Sequence, residues 1–546
     1  MNRRFAFACL HAFLCSGLHL VAQQAASSGT TQNQVQAPAQ AGKSAQPGDY
    51  VLKVSTQLVD LDIVVTDKQG NIVDNLNKGD FKITEDKQPQ TILNFDRPLA
   101  HALPGNLSID STQELDRVAP EAPVSIIVLD EINTRFEDEV FARYSLEKYL
   151  KTQSDMLPQP TMLVAITLDH FIVLRDYTTS RKQIVDALDH HFIAYPWRGN
   201  GSWQNEQISQ AFASLRQVAQ ATAGHRGHKN MIWIGRGFPS IQMQNMLDVD
   251  RDALETAIAT CTNMLRDARI TLYTVDPAGI SAAPTQTDIN GGTMDDPFGG
   301  EVDFNALATA TGGRTFMNRN DVDNLIGKSV RDGSEFYTLA YKPTTRSDDP
   351  AKFRAIRVIM KDPHLVATTR EGYYVQPTSP PPPKVTTTAA SGTPAAGTDE
   401  NALAVDLNTA ADSTMVYDGL PITVTRDTAN PNQFTIRIAA SGLDWTANGE
   451  ATPKVELALV VSSFDRKGKL LNRSAHMLDV PAKSSEPHSL DLQTRIDTTS
   501  PAARVRFVVR DSSSGKVGAD NAYLIDKNLI VDPAAVNLQT PSRRRR

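Results

Sequence analysis

Residues 123–150, PVSIIVLDEINTRFEDEVFARYSLEKYL, decide the fold class. An apolar run, Ser125–Leu129, ends at Asp130 and Glu131, crosses a short polar turn, and enters a charged segment with helical character. A strand that feeds a helix is the repeating unit of a parallel sheet, because parallel neighbours need a crossover and helices supply it. The unit recurs downstream. Apolar strand candidates are Met162–Leu168, Phe171–Tyr177, Met231–Gly235, Ile270–Asp276 and Phe336–Tyr341. Helical stripes separate several of them, such as Ile208, Phe212, Leu215 and Val218, and later Val322, Leu325, Ile326, Ser329 and Val330. This order predicts an α/β domain over 122–343 with a doubly wound, mostly parallel sheet. Only Asp169 and His170 separate the second and third candidates, too few for a crossover, so that pair is expected as an antiparallel hairpin at a sheet edge.

The flanks read differently. In residues 49–97, Val59, Leu61, Ile63 and Val65 alternate with polar residues before the turn-forming DKQGN, which predicts an N-terminal β domain. Residues 344–375 again read as strands, an extension packing on that β domain. A Pro/Thr/Ala-rich linker over 376–402 follows. Residues 403–535 carry short strands with Gly-containing turns and no convincing helix, the pattern of a C-terminal β-sandwich.

Arg3 and Arg4, an apolar run, and small residues near Ala22 read as a signal peptide over 1–23, so the chain is expected to be exported to the periplasm or the cell exterior. No stable membrane span is expected after cleavage. Residues 24–48, rich in Gln, Ala and Ser, read as a disordered leader, and 536–546 as a disordered basic tail. At 546 residues there is room for several domains, and a net charge of -7 gives no general pull toward nucleic acid. Cys9 and Cys15 would leave with the signal, and Cys261 lies in the helical stripe Leu254, Ala257, Ile258, Cys261, Leu265, so it reads as a core thiol.

Four segments together carry a resemblance: VTDKQGNIVDNLNKGDFKITEDKQPQTILNF (65–95), VLDEINTRFED (128–138), ITLYTVDPAGI (270–280) and LATATGGRTFMNRNDVDNLIGKSVRDGSEFYTLAYKP (307–343). The chain resembles, over residues 50–375, the von Willebrand factor type A domain, and more closely the VWFA-related proteins of acidobacteria. These are exported and place a β-rich segment before a divergent type A domain. The resemblance implies a divalent-cation site at the carboxyl ends of the strands, built from Asp-x-Ser-x-Ser after the first strand, a Thr in a later loop and an Asp after the fourth strand. Mg²⁺ suits such a site because it takes an octahedron of oxygens.

Laid on this sequence, the first Asp is Asp130, the two Ser positions hold Ile132 and Thr134, and the late Asp position in MIWIGRGFPS (231–240) holds Arg236. Ser202 is the nearest hydroxyl candidate for the third loop, with Asn200 offering an amide oxygen. A guanidinium facing the cation position replaces attraction with repulsion. The site is therefore expected to be degenerate, with Arg236 replacing the metal and pairing with Asp130, and no cofactor is expected. Mg²⁺ or another divalent cation in a shifted register, through Glu131 and Asn133, is the secondary reading.

Other motifs read as scaffold. His225 and His228 in GHRGHKN are expected in a surface loop, since Arg226 and Lys229 flank them and no third metal ligand is placed. Glu137, Asp138 and Glu139 read as charges complementing a helix N-terminus. Asp295, Asp296, Glu301 and Asp303 read as an acidic loop without the ligand spacing of a calcium loop. TGGRTF, Thr311–Phe316, reads as a tight turn. Tyr195, Trp197, Arg198 and Trp203 fall in one loop at the sheet's ligand edge and read as the partner-binding surface. No nucleophile, base and orienting group can be assembled. The leading expectation is a non-enzymatic, adhesion-type protein with a protein partner. A metal-dependent adhesion module is the first alternative. A carbohydrate-active or carbohydrate-binding sandwich, stacking sugar on Tyr417 and Trp445, is the second.

Overall fold

The computed structural model describes residues 58–105, 107–167, 171–193, 203–238, 241–242, 248–280, 301–302, 304–344, 352–375, 407–445, 453–482, 489–496 and 502–525. The segments read as signal peptide, leader, Pro-rich linker and basic tail lie outside them, as do Asp295, Asp296 and Asp303 of the acidic segment.

The N-terminal strands are β1 (Val59–Thr66), β2 (Phe81–Glu85), β3 (Gln88–Gln90) and β4 (Ile92–Asp96). Alternation along β1 buries Leu61, Ile63 and Val65 completely. The α/β part follows as α1 (Thr112–Val118), β5 (Val124–Asp130), α2 (Phe136–Thr152), β6 (Met156–Ile166), β7 (Phe171–Ser180), α3 (Arg181–His190), α4 (Trp203–Ala221), β8 (Lys229–Ile234), β9 (Ile241–Gln242), α5 (Asp248–Asp267), β10 (Ile270–Val275), β11 (Glu301–Val302), α6 (Phe304–Ala310), β12 (Thr315–Phe316) and α7 (Val322–Asp332). Six of these strands form one sheet in the order β12-β10-β8-β5-β6-β7. Its pairs are parallel except β6 with β7, which are antiparallel at the edge.

Successive β5 side chains enter opposite cores. Val124, Ile126 and Val128 meet Leu215 and Val218 of α4 and Ile258 and Leu265 of α5. Ile127 and Leu129 meet Leu146 of α2, Ile184 of α3 and Ile326 of α7. Apolar layers on both faces explain why β5 is a continuous hydrophobic run rather than an alternating one. Cys261 is fully buried in the first core, where burial pushes its thiol up to about 12.

One strand departs from the sequence expectation. β13 (Tyr337–Tyr341), read as part of the α/β sheet, pairs antiparallel with β1 and β4 instead. Its Tyr337, Leu339 and Tyr341 point to one side, into the core formed by Leu61, Ile63, Phe81 and Ile83, and Thr338 faces the other way toward Asp62, to which its hydroxyl donates at 2.8 Å. β14 (Phe353–Met360) pairs with β2, β15 (Val366–Thr368) with β1, and β16 (Gly372–Tyr374) with β14.

The C-terminal part has helical residues 407–412, where no helix was expected. Its strands are β17 (Tyr417–Asp418), β18 (Ile422–Arg426), β19 (Gln433–Ala439), β20 (Lys454–Phe464), β21 (Leu470–Pro481), β22 (Ser489–Arg495), β23 (Arg504–Asp511) and β24 (Val517–Tyr523). Sheets β17-β24-β23-β20-β21 and β18-β19-β22 enclose Phe434, Ile436, Val455, Leu457 and Phe507. The outer face of the larger sheet, through Ala458, Val460 and Val508, joins Leu407, Ala410 and Met415 in the same core as α4. Arg506, fully buried, pins the helical segment by donating to the carbonyls of Ala410 (2.7 Å) and Met415 (2.6 Å). Tyr417 is 2% exposed, which removes it as a platform for sugar. Trp445 packs against the sandwich core and donates its indole N–H to Ala440 O at 3.0 Å.

Candidate functional site

Asp130 ends β5 at the carboxyl edge of the parallel strands, where open α/β sheets place ligands. It is completely buried. Its Oδ2 accepts from the Trp233 indole N–H (2.9 Å) and the Gly237 amide (3.0 Å). Its Oδ1 accepts from the amides of Asn133 (3.1 Å) and Ile132 (3.3 Å), and the Asn133 side-chain amide donates at 3.2 Å. Burial raises the Asp130 carboxyl above its ordinary range, while the Trp233, Asn133 and Gly237 donors pull it back down.

Two glycines make this closure possible. Gly235 has φ 152°, and a Cβ there would sit 2.4 Å from the Asp130 Cβ. Gly237 has φ 62°, and a Cβ there would enter the Phe304 ring.

Arg236 does not pair with Asp130, contrary to the expectation from its position. It turns outward and donates to Asp276 Oδ2 at 3.2 Å, with its side chain 41% exposed. A fully buried carboxylate already ringed by N–H donors offers a guanidinium neither room nor lone pairs, and Asp276 at the end of the neighbouring strand keeps the charge in water. The group that satisfies Asp130 is the indole of Trp233. Its sequence signal was a single large side chain with one N–H inside a buried strand, a group that needs an acceptor nearby.

The same donors test the corner for a divalent cation. A hard cation binds through oxygen lone pairs. Both Asp130 oxygens face N–H groups, and the Ile132 side chain replaces a hydroxyl, so the residues around Asp130 do not fit one. Three residues nearby hold buried oxygens without hydrogen-bond partners: Asn133 Oδ1, Thr134 Oγ1, and both Glu139 oxygens. Glu139 lies in the first turn of α2, as expected of a charge at a helix N-terminus, but is only 1% exposed. Burial, then Glu131 and Asp130, push its carboxyl well above the usual range, against the opposing charge of Arg143. Beside it, His191 Nε2 is hydrogen-bonded to Glu131 Oε1, both residues being buried.

Of the remaining sequence candidates, Tyr195, Trp197, Arg198, Asn200 and Ser202 lie outside the described residues, and Trp203 is the first residue of α4. The histidines of GHRGHKN are not on a surface loop. His225 is 1% and His228 4% exposed. His225 contacts Ala122 O (2.8 Å) and Asp116 (3.2 Å), and His228 contacts Asp62 of β1 (2.9 Å). Burial alone would raise Asp62, but Arg269 and His228 hold its carboxyl well below the usual carboxylate range. These residues knit the N-terminal strands to the α/β part. Among the described residues no cluster of three or more His, Cys, Asp or Glu has the arrangement to hold a metal ion.

Two substitutions separate the roles of Trp233 and Arg236. Trp233→Phe leaves a buried acceptor short of a donor and is expected to cost about 1–3 kcal/mol of unfolding free energy. Arg236→Ala removes a half-exposed ion pair and is expected to change stability by less than about 1 kcal/mol. Chemical denaturation of both variants checks this, and a larger loss for Arg236→Ala would return the corner to the guanidinium.

No family model matches the chain, and no curated protein matches it. Solved structures resemble parts of it. One is the SpRpn10 VWA domain, 16% identical with a TM-score of 0.16, covering 29% of this chain and 89% of that one. Another is a calcium-binding mutant of Bacteroides uniformis β-glucuronidase 2, 18% identical with a TM-score of 0.12, covering 19% of this chain and 13% of that one. The same enzyme covalently bound to cyclophellitol-6-carboxylate aziridine gives 16% identity and a TM-score of 0.11 over the same shares. The chain thus spans about 13% of the length of the glucuronidase chains it matches. Likenesses at these TM-scores leave the function to the residues themselves.

Proposed function

We propose that this chain is an exported, non-enzymatic interaction protein of the VWFA-related kind, whose type A-like part engages a protein partner without a divalent cation. The observation that carries the reading is the closure of Asp130 by the N–H groups of Trp233, Gly237, Ile132 and Asn133. In a metal-dependent adhesion module a cation bridges that carboxylate to an acidic residue of the partner. Here the carboxylate supports the corner from within, and recognition falls to side chains around it. The segment carrying Tyr195, Trp197 and Arg198, with Trp203 at the start of α4, is the proposed contact surface, because large aromatics and Arg are the side chains that anchor protein interfaces.

A second reading has its own support. The unpartnered oxygens of Asn133, Thr134 and Glu139 are the atoms that a cation in a shifted register would use, rather than Asn133 with Glu131, whose Oε1 is hydrogen-bonded to His191. Calorimetric titration of the full-length mature chain, stripped with chelator, with Mg²⁺, Mn²⁺ and Ca²⁺ separates the two. The expected result is no saturable heat and no rise in melting temperature. Saturable binding that disappears in Thr134→Val would overturn the metal-independent reading in favour of the shifted site.

A further inference from the structure

We propose that the cleft between the C-terminal end of α5 and the strands β1 and β16 binds a small oxyanion, a carboxylate or a phosphate. The cleft lies at the sheet edge opposite Asp130, beside Ile270 and Thr271 at the start of β10. It comprises two adjoining pockets, the larger with a volume of about 240 Å³. Arg266, Arg269, Arg370 and Asp60 line both, Tyr373 lines the larger and Thr262 the smaller.

Two of the three guanidiniums are already committed. Arg269 donates to Asp62 at 2.6 and 3.3 Å and to the carbonyl of Arg226 at 3.1 Å. Arg266 donates to Asp267 (2.8 Å) and Asn263 (3.2 Å) and lies over the Tyr373 ring, 5.4 Å from its centroid. Arg370 is different. Its Nε is sealed from solvent and has no hydrogen-bond partner, and among the described residues no acid pairs with it. The hydroxyl of Thr262 in the same cleft is also buried and unpartnered. A desolvated guanidinium Nε without an acceptor is costly to the fold, and an anion in the cleft would offset that cost.

The charges favour an anion. Asp62 and Asp267 are neutralised by Arg269 and Arg266, and Asp60 is exposed, so water and salt screen it. Burial, then the repulsion of Arg266, lowers the Arg370 guanidinium to about 10, which leaves it charged at neutral pH. A planar guanidinium matches the two oxygens of a carboxylate or phosphate with parallel N–H bonds, and the Thr262 hydroxyl adds a donor.

The test is thermal shift and calorimetry on the full chain with inorganic phosphate, acetate and chloride at matched ionic strength. Saturable stabilisation by phosphate alone identifies a phosphate-bearing ligand, and by acetate a carboxylate-bearing one. Either should weaken at least tenfold in Arg370→Gln. If Arg370→Gln does not fold, Arg266→Gln decides, since it removes a second lining guanidinium, and a tenfold weakening there supports the site. No stabilisation beyond that of chloride, or unchanged affinity in whichever variant decides, overturns it.

Discussion

Arg354→Met is expected to destabilise the chain by roughly 3–5 kcal/mol, because it strands a buried carboxylate. Glu85 of β2 is 1% exposed and sits against Arg354 of β14, itself 2% exposed. Arg354 Nε donates to Glu85 Oε1 at 3.0 Å, and the hydroxyls of Tyr341 and Tyr373 donate to Oε2 at 2.5 and 3.3 Å. Three strands of the N-terminal module, β2, β13 and β14, and the adjoining β16 therefore converge on one anion. Without Arg354, Glu85 must protonate or draw water into the core. The double variant Arg354→Met with Glu85→Gln removes the stranded charge and is expected to recover more than half of the loss. Urea denaturation of the two single variants and the double variant measures the cycle. A loss below about 1 kcal/mol for Arg354→Met would show that the pair carries no structural weight.

That network also shows where sequence reading reaches its limit. Strands that alternate or run apolar are local signals, and β1, β5, β8 and β10 were all legible. So was the β6–β7 hairpin, since two residues cannot cross a sheet. The partner of a strand is not local. Tyr337–Tyr341 looked like any other sheet strand, and only its pairing with β1, more than 270 residues earlier, assigns it to the N-terminal module. Polar residues misled for the same reason. GHRGHKN reads as a solvated turn until Asp62, Asp116 and the backbone carbonyls of Ala122 and Ala268 arrive from elsewhere to satisfy it. At the candidate site, Asp130 was legible from its place after an apolar strand. The group that occupies its lone pairs was not, because the Arg236 charge drew the expectation while the Trp233 N–H, hidden in an apolar run, does the bonding.

The contact between α4 and the C-terminal module is expected to respond to pH through Asp418. This β17 residue accepts from the Gly224 amide at 2.6 Å, just past the C-terminal end of α4, where a Cβ on Gly224 would strike its carbonyl. Burial, then the neighbouring Asp116, raises the Asp418 carboxyl to about 7. Lys229, also fully buried, donates to the carbonyls of His225 (2.6 Å), Ala268 (2.7 Å) and Gly227 (3.1 Å), and burial lowers its ammonium to about 7. An acid whose folded pKa lies above its unfolded value holds more protons when folded, so the stability it contributes is complete below about pH 4 and is lost as pH rises through 7. Asp418→Asn keeps an oxygen for the Gly224 amide and abolishes the titration. The difference in stability between variant and wild type isolates this one group from other titrations. It is expected to shift in favour of the variant by on the order of 2–4 kcal/mol between pH 4.5 and 7.5. Denaturation curves at three pH values across that window give the slope. Parallel profiles would mean that Asp418 is ionised throughout and that Lys229 has claimed it as a counter-ion, in which case the module is held by a buried ion pair rather than by a protonated carboxyl.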